Sequence, residues 1–322
     1  MSAPVLEPDD EAIARAVRTL RGGGLVAMPT ETVYGLACDA SHGQAIARLY
    51  DAKGRPSFNP LIAHVADEAM ARREAGGWDG QRGAAARLSA AFWPGPLTLV
   101  MPFATDTGSV SDLARAGLPT IALRQPDHPV AQRLIRAFGG PLVAPSANPS
   151  GRMSPTRAEH VAAEMGDLVD LILDGGACRV GLESTIVSLV GMEPALLRPG
   201  GLDPSDLEQV LGRPLRQGGD RPDAPSSPGQ LLRHYAPRAR LRLNAIACDE
   251  GEVFLGFGSQ GVSGSSDANL SPSGSLIEAA ANLFTLLRAL DDRATAIAVA
   301  PIPTIGLGLA INDRLQRAAR RE

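Results

Sequence analysis

Apolar residues in this chain recur at helical spacing in some segments and form short unbroken runs in others. Residues 9–21 predict a helix, because Ile13, Val17 and Leu20 share one face and three glycines follow. The same reasoning predicts helices over 44–52, 82–91, 129–138, 156–165, 276–290 and 311–319, and one that opens at 203. Short apolar runs predict strands at 25–28, 61–65, 97–101, 120–123, 141–144, 171–173, 185–190, 195–197, 253–257 and 297–300. Strands that alternate with helices indicate an α/β sheet with helices packed on it.

Local chemistry refines two of these helices. Thr156 and Glu159 have the spacing of a capping box for the helix that ends near residue 165. Asp203 precedes Pro204, and proline suits the first position of a helix. We therefore expect a capping box at the first of these helices and a start at Asp203-Pro204 for the second.

The pattern breaks once, between residues 213 and 229. Pro, Gly, Ser, Asp and Arg dominate there and no apolar period survives, which is typical of a linker. A chain of 322 residues also suits two domains. We predict a catalytic domain over 1–212, a linker over 213–237 and a small α/β domain over 238–322, with a Gly/Ser-rich loop at 258–274.

Composition narrows the class of protein. Aromatic residues make up 4% of the chain, so its cores must be aliphatic, and a net charge of −4 disfavours a protein built mainly to coat nucleic acid. Three dispersed cysteines and an N-terminus without a basic start or apolar core favour a cytoplasmic protein. Residues 294–311 carry no charge, but their prolines and glycines predict a strand, a turn and a helix start rather than a membrane span.

Four cations are predicted to lie in loops or at strand ends. Lys53 and Arg55 flank one glycine in a proline-rich loop, and Arg124 and Arg198 each end an apolar run. Any one of them is more often surface decoration, and a lone K-x-R is usually a solvated turn. Together, in an acidic protein, they predict an anion pocket, since arginine pairs with carboxylate or phosphate through two parallel hydrogen bonds.

Small polar residues follow several of the same strands. Thr30 lies in PTETVYGLA, Ser146 and Asn148 in APSANPSG, and Ser184 in GLESTIVSL. Ligands of open α/β sheets bind at the carboxyl ends of strands, although each segment alone is more often an ordinary turn. His64 sits inside an apolar run, where a satisfied core histidine is the more common case.

Other familiar motifs are missing from the sequence. It has no phosphate-binding P-loop, no G-x-S-x-G elbow and no H-E-x-x-H, and its five histidines show no metal-ligand spacing.

Taken together, the quoted segments resemble the YrdC-type threonylcarbamoyl-AMP synthase family in its longer two-domain form. The resemblance rests on PTETVYGLA, YDAKGRPSFNPL, FWPGPLTLV, APSANPSG, GLESTIVSL, LLRPGG, SPGQLLRHYAP and GLGLAINDRLQRAA. It covers nearly the whole chain except 213–227 and 258–274. It implies a twisted, mostly open sheet flanked by helices, then a linker and a smaller Rossmann-like domain.

The resemblance also implies roles for individual residues. Its ATP-binding positions correspond to Lys53, Arg55, Thr120, Ser146, Asn148, Ser154, Arg198 and Tyr235, with Lys53 and Arg55 as the catalytic pair. Its threonine-binding positions correspond to Thr30, His64, Arg124, Ala144 and Ser184. It implies no metal ligand from protein side chains.

The implied reaction joins L-threonine, bicarbonate and ATP, with Mg2+, into threonylcarbamoyl-AMP and pyrophosphate. The implied partner is a separate transferase that modifies tRNA, with weak or indirect contact to tRNA itself. Because a carbamate and an adenylate both hydrolyse readily, we expect residues 227–237 to cover the site.

Two other functions stay open at this point. An RNA-binding module is suggested by Arg314, Arg317, Arg320 and Arg321, although such a stretch is more often a solvated helix face. A transferase that uses carbamoyl phosphate is suggested by related domains in hydrogenase-maturation proteins, which carry cysteine-rich zinc segments that this chain lacks.

Overall fold

The structure is a computed structural model that describes residues 2–218, 234–259 and 267–320. Residues 219–233 of the predicted linker and 260–266 of the predicted Gly/Ser loop lie outside the described residues. The helices are α1 (Asp10–Arg21), α2 (Gly43–Lys53), α3 (Glu68–Glu74), α4 (Gly80–Phe92), α5 (Pro129–Phe138), α6 (Ala158–Met165), α7 (Pro204–Leu211), α8 (Leu276–Asp291) and α9 (Leu307–Ala319).

The strands fall into two groups along the chain. Those of the first sheet are β1 (Val5–Leu6), β2 (Val26–Met28), β3 (Gly35–Asp39), β4 (Ile62–His64), β5 (Leu97–Pro102), β6 (Thr120–Arg124), β7 (Leu142–Val143), β8 (Leu171–Leu173), β9 (Thr185–Ser188), β10 (Ala195–Arg198) and β11 (Arg216–Gln217). Those of the second sheet are β12 (Arg240–Arg242), β13 (Val253–Gly256), β14 (Ala268–Asn269) and β15 (Ala296–Val299).

The described strands form two separate sheets. The first is mixed and open, in the order β1-β8-β2-β3-β7-β4-β6-β5-β9-β10-β11, and the second is parallel, in the order β12-β15-β13-β14. Helices pack on both, and each sheet has its own aliphatic core. The predicted α/β class, with an open flanked sheet and a smaller Rossmann-like domain, is confirmed.

Helix boundaries follow the chemistry of their ends. Asp9 accepts a hydrogen bond from the Ala12 amide at 2.8 Å and so caps α1, while the buried face of α1 carries Ile13, Val17 and Leu20 as predicted. Asp203 caps α7 in the same way, through the Ser205 amide. The uncharged stretch 294–311 is a strand, a turn and a helix start, as predicted.

The capping box at α6 is wrong. Its N-cap residue is Arg157, which makes no side-chain capping bond. The hydroxyl of Thr156 instead lies 2.9 Å from that of Thr285 on α8, so a contact between the two domains replaces the local cap. The prediction also missed several short strands and α3, whose few residues carry too little periodicity to stand out.

The small domain is docked on the large one. Its core includes Met153 and Leu182 from the first domain, packed with residues of α8 and α9. None of the helices in the described parts of the chain combines the length and apolar character that crossing a bilayer requires.

Candidate active site

Several strands of the first sheet end around one small cavity. His64 ends β4 and Arg124 ends β6, and the parallel register places the two residues side by side. Ala144 directly follows β7, and Arg198 ends β10. The cavity that these ends enclose measures about 50 Å3.

The cavity is lined by residues that are far apart in the sequence, from Thr32 to Tyr235. Eight of the lining residues were predicted as site residues: Arg55, His64, Ala144, Arg124, Ser146, Ser184, Arg198 and Tyr235. The others are Thr32, Val33, Ile62, Pro145, Glu183 and His234. The predicted anion pocket therefore has three guanidinium groups on one cavity.

Arg55 is held by the loop that follows it. Its Nε donates to the carbonyl of Asn59 at 3.2 Å and its Nη2 to the carbonyl of Pro60 at 2.9 Å. Burial lowers the pKa of Arg55 to about 10, and the nearby charge of Arg198 acts in the same direction. The group still carries its charge at neutral pH.

Lys53 connects two of the predicted motifs rather than lining the cavity. Its Nζ donates to the carbonyl of Ser146 at 2.5 Å and to the carbonyl of Asn148. Burial lowers the pKa of this ammonium, and the positive charge of Arg55 adds to the effect. The K-x-R and S-x-N segments are thus joined through a buried lysine.

Arg124 lies in a buried ion pair. Its Nη2 donates to Glu31 Oε1 at 2.7 Å and its Nε to the carbonyl of Gly95 at 3.3 Å. Glu31 is fully buried and its second oxygen accepts the Asp127 amide at 2.9 Å. Glu31 therefore sets the orientation of Arg124, and a guanidinium with five N–H groups keeps donors for a ligand after these two bonds.

His64 is neutral beside Arg124. Burial lowers its pKa to about 3, and the charge of Arg124 lowers it further. Its Nδ1 lies 3.2 Å from the carbonyl of Ile62. The ring therefore presents an uncharged, fixed surface to the cavity.

Ser184 and Arg198 form one hydrogen-bonded unit. Nε and Nη2 of Arg198 donate to the Ser184 carbonyl at 3.2 and 2.9 Å, and Nη2 lies 3.2 Å from the Ser184 hydroxyl. That hydroxyl also lies 2.7 Å from the hydroxyl of Thr98. Gly200 packs so closely on this segment that a Cβ there would lie 2.4 Å from its backbone.

Five of the predicted residues lie away from the lining of the cavity. Thr30 bonds to Thr32 and to the Val33 carbonyl, and so shapes the loop that does line it. The Asn148 amide nitrogen donates to the carbonyls of Pro149 and Arg152, while Oδ1 has no hydrogen-bond partner among the described residues. The hydroxyl of Ser154 donates to Glu183.

Thr120 lies at the opposite end of β6 from Arg124 and does not line the cavity. It begins β6 whereas Arg124 ends it, and a strand rises about 3.3 Å per residue, which separates them by roughly 13 Å. The role of Thr120 stays a prediction from the family resemblance. The same holds for the roles of all the other predicted site residues, including Lys53, Thr30, Asn148 and Ser154.

Residues 234–236, here named the cover segment, lie at the end of the linker and against the cavity. His234 and Tyr235 are both buried and line it, and the Ala236 amide donates to the Gly151 carbonyl at 2.8 Å. Burial lowers the pKa of His234 to about 3. Ligand pockets measure roughly 300–1,000 Å3, so the cavity in this arrangement is smaller than a typical ligand pocket.

Glu183 is the acidic group of the cavity. Burial opposes its ionisation, but the charges of Arg314 and Arg198 outweigh that effect and the pKa of Glu183 lies below its ordinary value. It accepts from Ser154 on one oxygen and from Arg314 Nε at 2.9 Å on the other. Its negative charge partly balances the cations around it.

Three residues that line or support the cavity were not predicted, although they lie inside the quoted motifs. Glu31, Glu183 and His234 were not singled out, because each stands next to a residue that was. The interpretation of the basic C-terminal stretch as a solvated helix face is wrong for two of its members: Arg314 and Arg317 are buried, at 1% and 9% exposure.

Both parts of the chain match known families. Residues 18–200 match the Sua5/YciO/YrdC family, described as "Telomere recombination", and residues 203–320 match the family described as "Threonylcarbamoyl-AMP synthase, C-terminal domain". The threonylcarbamoyl-AMP synthase of Bacillus subtilis is 40% identical over 98% of this chain and 94% of its own length. That of Pyrococcus abyssi is 39% identical over 93% and 92%.

Solved structures agree with these matches. The crystal structure of P. abyssi Sua5 complexed with L-threonine superposes with a TM-score of 0.88 at 36% identity, over 99% of this chain and 97% of that one. E. coli YciO superposes with a TM-score of 0.55 at 26% identity, over 62% of this chain. Because relatives of about 40% identity span nearly its full length, the chain belongs to the threonylcarbamoyl-AMP synthase family, in the two-domain form.

Proposed function

We propose that this enzyme makes threonylcarbamoyl-AMP from L-threonine, bicarbonate and MgATP and releases pyrophosphate, which makes it a nucleotidyltransferase. The observation that carries the proposal is the convergence of Arg55, Arg124 and Arg198 with Ser146 and Ser184 on one cavity. Three positive charges beside small hydroxyl groups suit a triphosphate next to an amino acid. A related protein was crystallised with L-threonine.

The reaction requires no covalent bond to the protein. Bicarbonate takes up one proton and loses water to give carbon dioxide. The threonine amine adds to this carbon dioxide and forms a carbamate, with loss of one proton to solvent. A carbamate oxygen then forms a bond to the α-phosphorus of ATP, and the bond from that phosphorus to the β-phosphate bridging oxygen breaks. Pyrophosphate leaves with both bonding electrons, so the protein contributes positioning and charge neutralisation.

Arg124 is suited to the threonine carboxylate. Glu31 and the Gly95 carbonyl hold its guanidinium, and a carboxylate can take two parallel bonds from the remaining donors. Neutral His64 lies beside it and adds no second positive charge. Ser184, placed between Thr98 and Arg198, offers a hydroxyl to the other polar groups of threonine.

Arg55 and Arg198 are suited to the phosphates. Both stay attached to backbone carbonyls through part of their guanidinium groups, so their positions are fixed before a ligand binds. Magnesium enters as part of the substrate, coordinated by phosphate oxygens. Lys53 holds the Ser146–Asn148 loop in place, because its Nζ donates to the carbonyls of both residues.

The cover segment would protect the intermediate. Carbamates and mixed anhydrides hydrolyse in water, and His234 and Tyr235 exclude water from the cavity when they are in place. We propose that the segment opens for substrates, closes for the reaction and opens again for the product. The product then passes to a separate tRNA threonylcarbamoyl transferase in the cytoplasm, with little direct contact between this protein and tRNA.

Pyrophosphate release with each reactant omitted in turn tests this function. We expect release only when threonine, bicarbonate and MgATP are all present. Release that proceeds without threonine would contradict the proposal. Activity that requires carbamoyl phosphate would support the carbamoyl-transfer alternative instead.

A further inference from the structure

The last helix places one arginine inside the first domain. Arg314 lies on α9, in the segment GLGLAINDRLQRAA, and is 1% exposed. Its Nε donates to Glu183 Oε2 at 2.9 Å, and its Nη1 donates to the Pro199 carbonyl at 2.8 Å. Both acceptors belong to the first domain, so a charge from the small domain is buried beside the cavity.

Glu183 carries this contact to the cavity. Its other carboxylate oxygen accepts the Ser154 hydroxyl, and its backbone precedes Ser184, whose carbonyl holds Arg198. Glu183 itself lines the cavity. A shift of Arg314 would therefore move a carboxylate that holds Ser154, and the backbone of the same residue leads directly into Ser184.

Arg314 also contacts the cover segment. Its guanidinium carbon lies 5.2 Å from the centre of the Tyr235 ring, within the range of a cation–π interaction. The ring of Phe284 on α8 lies 5.7 Å from that of Tyr235. Tyr235 has a φ of +64°, a left-handed conformation that is strained for a tyrosine and persists only where surrounding contacts hold it.

The guanidinium is oriented from its own helix. Asp313 Oδ2 accepts from Nη1 at 2.7 Å, and Asp313 Oδ1 accepts from Arg317 Nε at 2.9 Å. The Nη2 atom is buried and has no hydrogen-bond partner among the described residues. These hydrogen bonds fix the orientation of the Arg314 guanidinium. Apolar contacts alone would be enough to hold the two domains together.

We propose that Arg314 is a positioning residue for the reaction: it fixes Glu183 and holds Tyr235 over the cavity, so that the cover closes only when the small domain is docked. This inference rests on the proposed function, because it assigns Arg314 a part in that same site. Arg314 does not line the cavity, so it acts through Glu183 and Tyr235. The small domain would thereby take part in catalysis.

The test compares two interdomain arginines in the full chain. Arg314→Lys keeps a charge but loses the planar fork and its stacking on Tyr235. Arg288→Lys is the matched control, since Arg288 on α8 joins the first domain through Glu164 and the Met153 carbonyl without contacting Glu183 or Tyr235. Asp313→Asn is a milder second variant, because it removes one support of Arg314 and leaves the arginine in place.

Two quantities are measured at saturating substrates: kcat, and the amount of intact adenylate formed per pyrophosphate. We expect Arg314→Lys to lower kcat at least about tenfold and to lower the intact fraction, because a hydrogen bond between two charged groups is lost. Asp313→Asn should also lower kcat and the intact fraction, but by less than Arg314→Lys does. Arg288→Lys should lose thermal stability while both quantities stay near the wild-type values.

The outcomes separate the two proposals. Wild-type protein without threonine-dependent pyrophosphate release would remove the proposed function itself. The positioning role alone would be overturned by a different result. In that case the wild-type protein is active, but Arg314→Lys and Asp313→Asn have the same kcat and the same intact adenylate fraction as Arg288→Lys. If Arg314→Lys fails to fold, the ratio of intact adenylate to pyrophosphate in Asp313→Asn decides, and an unchanged ratio there overturns the role.

Discussion

A buried guanidinium keeps its charge where a buried ammonium tends to lose it. Burial lowers the pKa of Arg55 to about 10, which still leaves it protonated at neutral pH. A lysine starts from a lower value, and burial already depresses the pKa of Lys53 nearby. The chemistry of position 55 therefore calls for arginine.

This difference predicts the effect of Arg55→Lys. The substituted ammonium would lose charge and could not bond both the Asn59 and Pro60 carbonyls while also facing the phosphates. We expect kcat/KM for ATP to fall at least about tenfold, from the loss of one charge-assisted contact. Steady-state pyrophosphate release measures this effect.

The control for that variant is Arg48→Lys. Arg48 forms an ion pair with Asp170, is 46% exposed and lies outside the cavity lining, so the same substitution should leave kcat/KM unchanged. Equal kinetics for the two variants would argue against a phosphate role for Arg55.

At the scale of elements, the cover segment is expected to respond to pH. In the closed arrangement the pKa of His234 is about 3, because of burial and then of neighbouring charges: Glu183 favours the protonated ring, and Arg55, Lys53 and Arg198 oppose it. In the open arrangement the ring meets water and its pKa returns to about 6.5. Protons therefore bind the open arrangement, and acid favours opening.

The linkage between proton binding and opening also sets the size of the pH effect on the cover segment. Closing should be fully favoured above about pH 6.5 and weaken about tenfold per pH unit below it, until the pH approaches the value for the closed arrangement. Hydrogen exchange at the Ala236 amide, corrected for its intrinsic rate, measures opening. His234→Asn should remove the dependence, and a wild-type protein with the same slope as this variant would contradict it.

Helix α6 offers a second prediction at this scale. Its N-cap residue, Arg157, is exposed and makes no capping bond. Arg157→Asp should supply a side-chain acceptor and a favourable charge at the helix start, and raise the free energy of unfolding by about 1 kcal/mol. Denaturant unfolding measures it; an equal change in Arg157→Ala would show that removal of the arginine, and not capping, is responsible.

Much of the element order could be predicted from the sequence. Helix α1 has a strong apolar period with an aspartate before it, and the last residue of α5 was predicted correctly because Gly139 follows it in a left-handed conformation. The cap at α6 could not be predicted, since Thr156 contacts Thr285, 129 residues away. Local spacing carries no information about such a partner.

In the site, too, local sequence features could be predicted and contacts between distant segments could not. Arg124 and Arg198 could be placed from the sequence because each ends an apolar strand. The pairing of Arg124 with Glu31, 93 residues apart, depends on how strands are ordered in the sheet. The burial of Arg314 depends on domain docking, which no periodicity encodes.

At the scale of the whole molecule, docking depends on close contact between backbones. Gly181 has a φ of +74°, and a Cβ there would lie 2.5 Å from the Ala280 carbonyl oxygen on α8. Gly181→Ala should therefore separate the small domain from the first one. We expect a larger radius of gyration in solution scattering and a loss of adenylate synthesis.

Gly139→Ala is the matched control. Gly139 also has a positive φ, +85°, but a Cβ there would have nothing within 4 Å. The backbone strain of about 1–2 kcal/mol is thus shared by both variants, and the clash with α8 belongs to Gly181 alone. Unchanged dimensions and activity in a folded Gly181→Ala protein would show that close docking is not required.

In the proposed reaction, one cavity brings threonine, a carbon from bicarbonate and ATP together. Mass spectrometry of the product formed from carbon-13 bicarbonate, threonine and MgATP tests it most directly. We expect an adenylate that contains threonine and one labelled carbon, formed in equal amount with pyrophosphate. An adenylate without the label, or pyrophosphate without any threonine-containing adenylate, would contradict it.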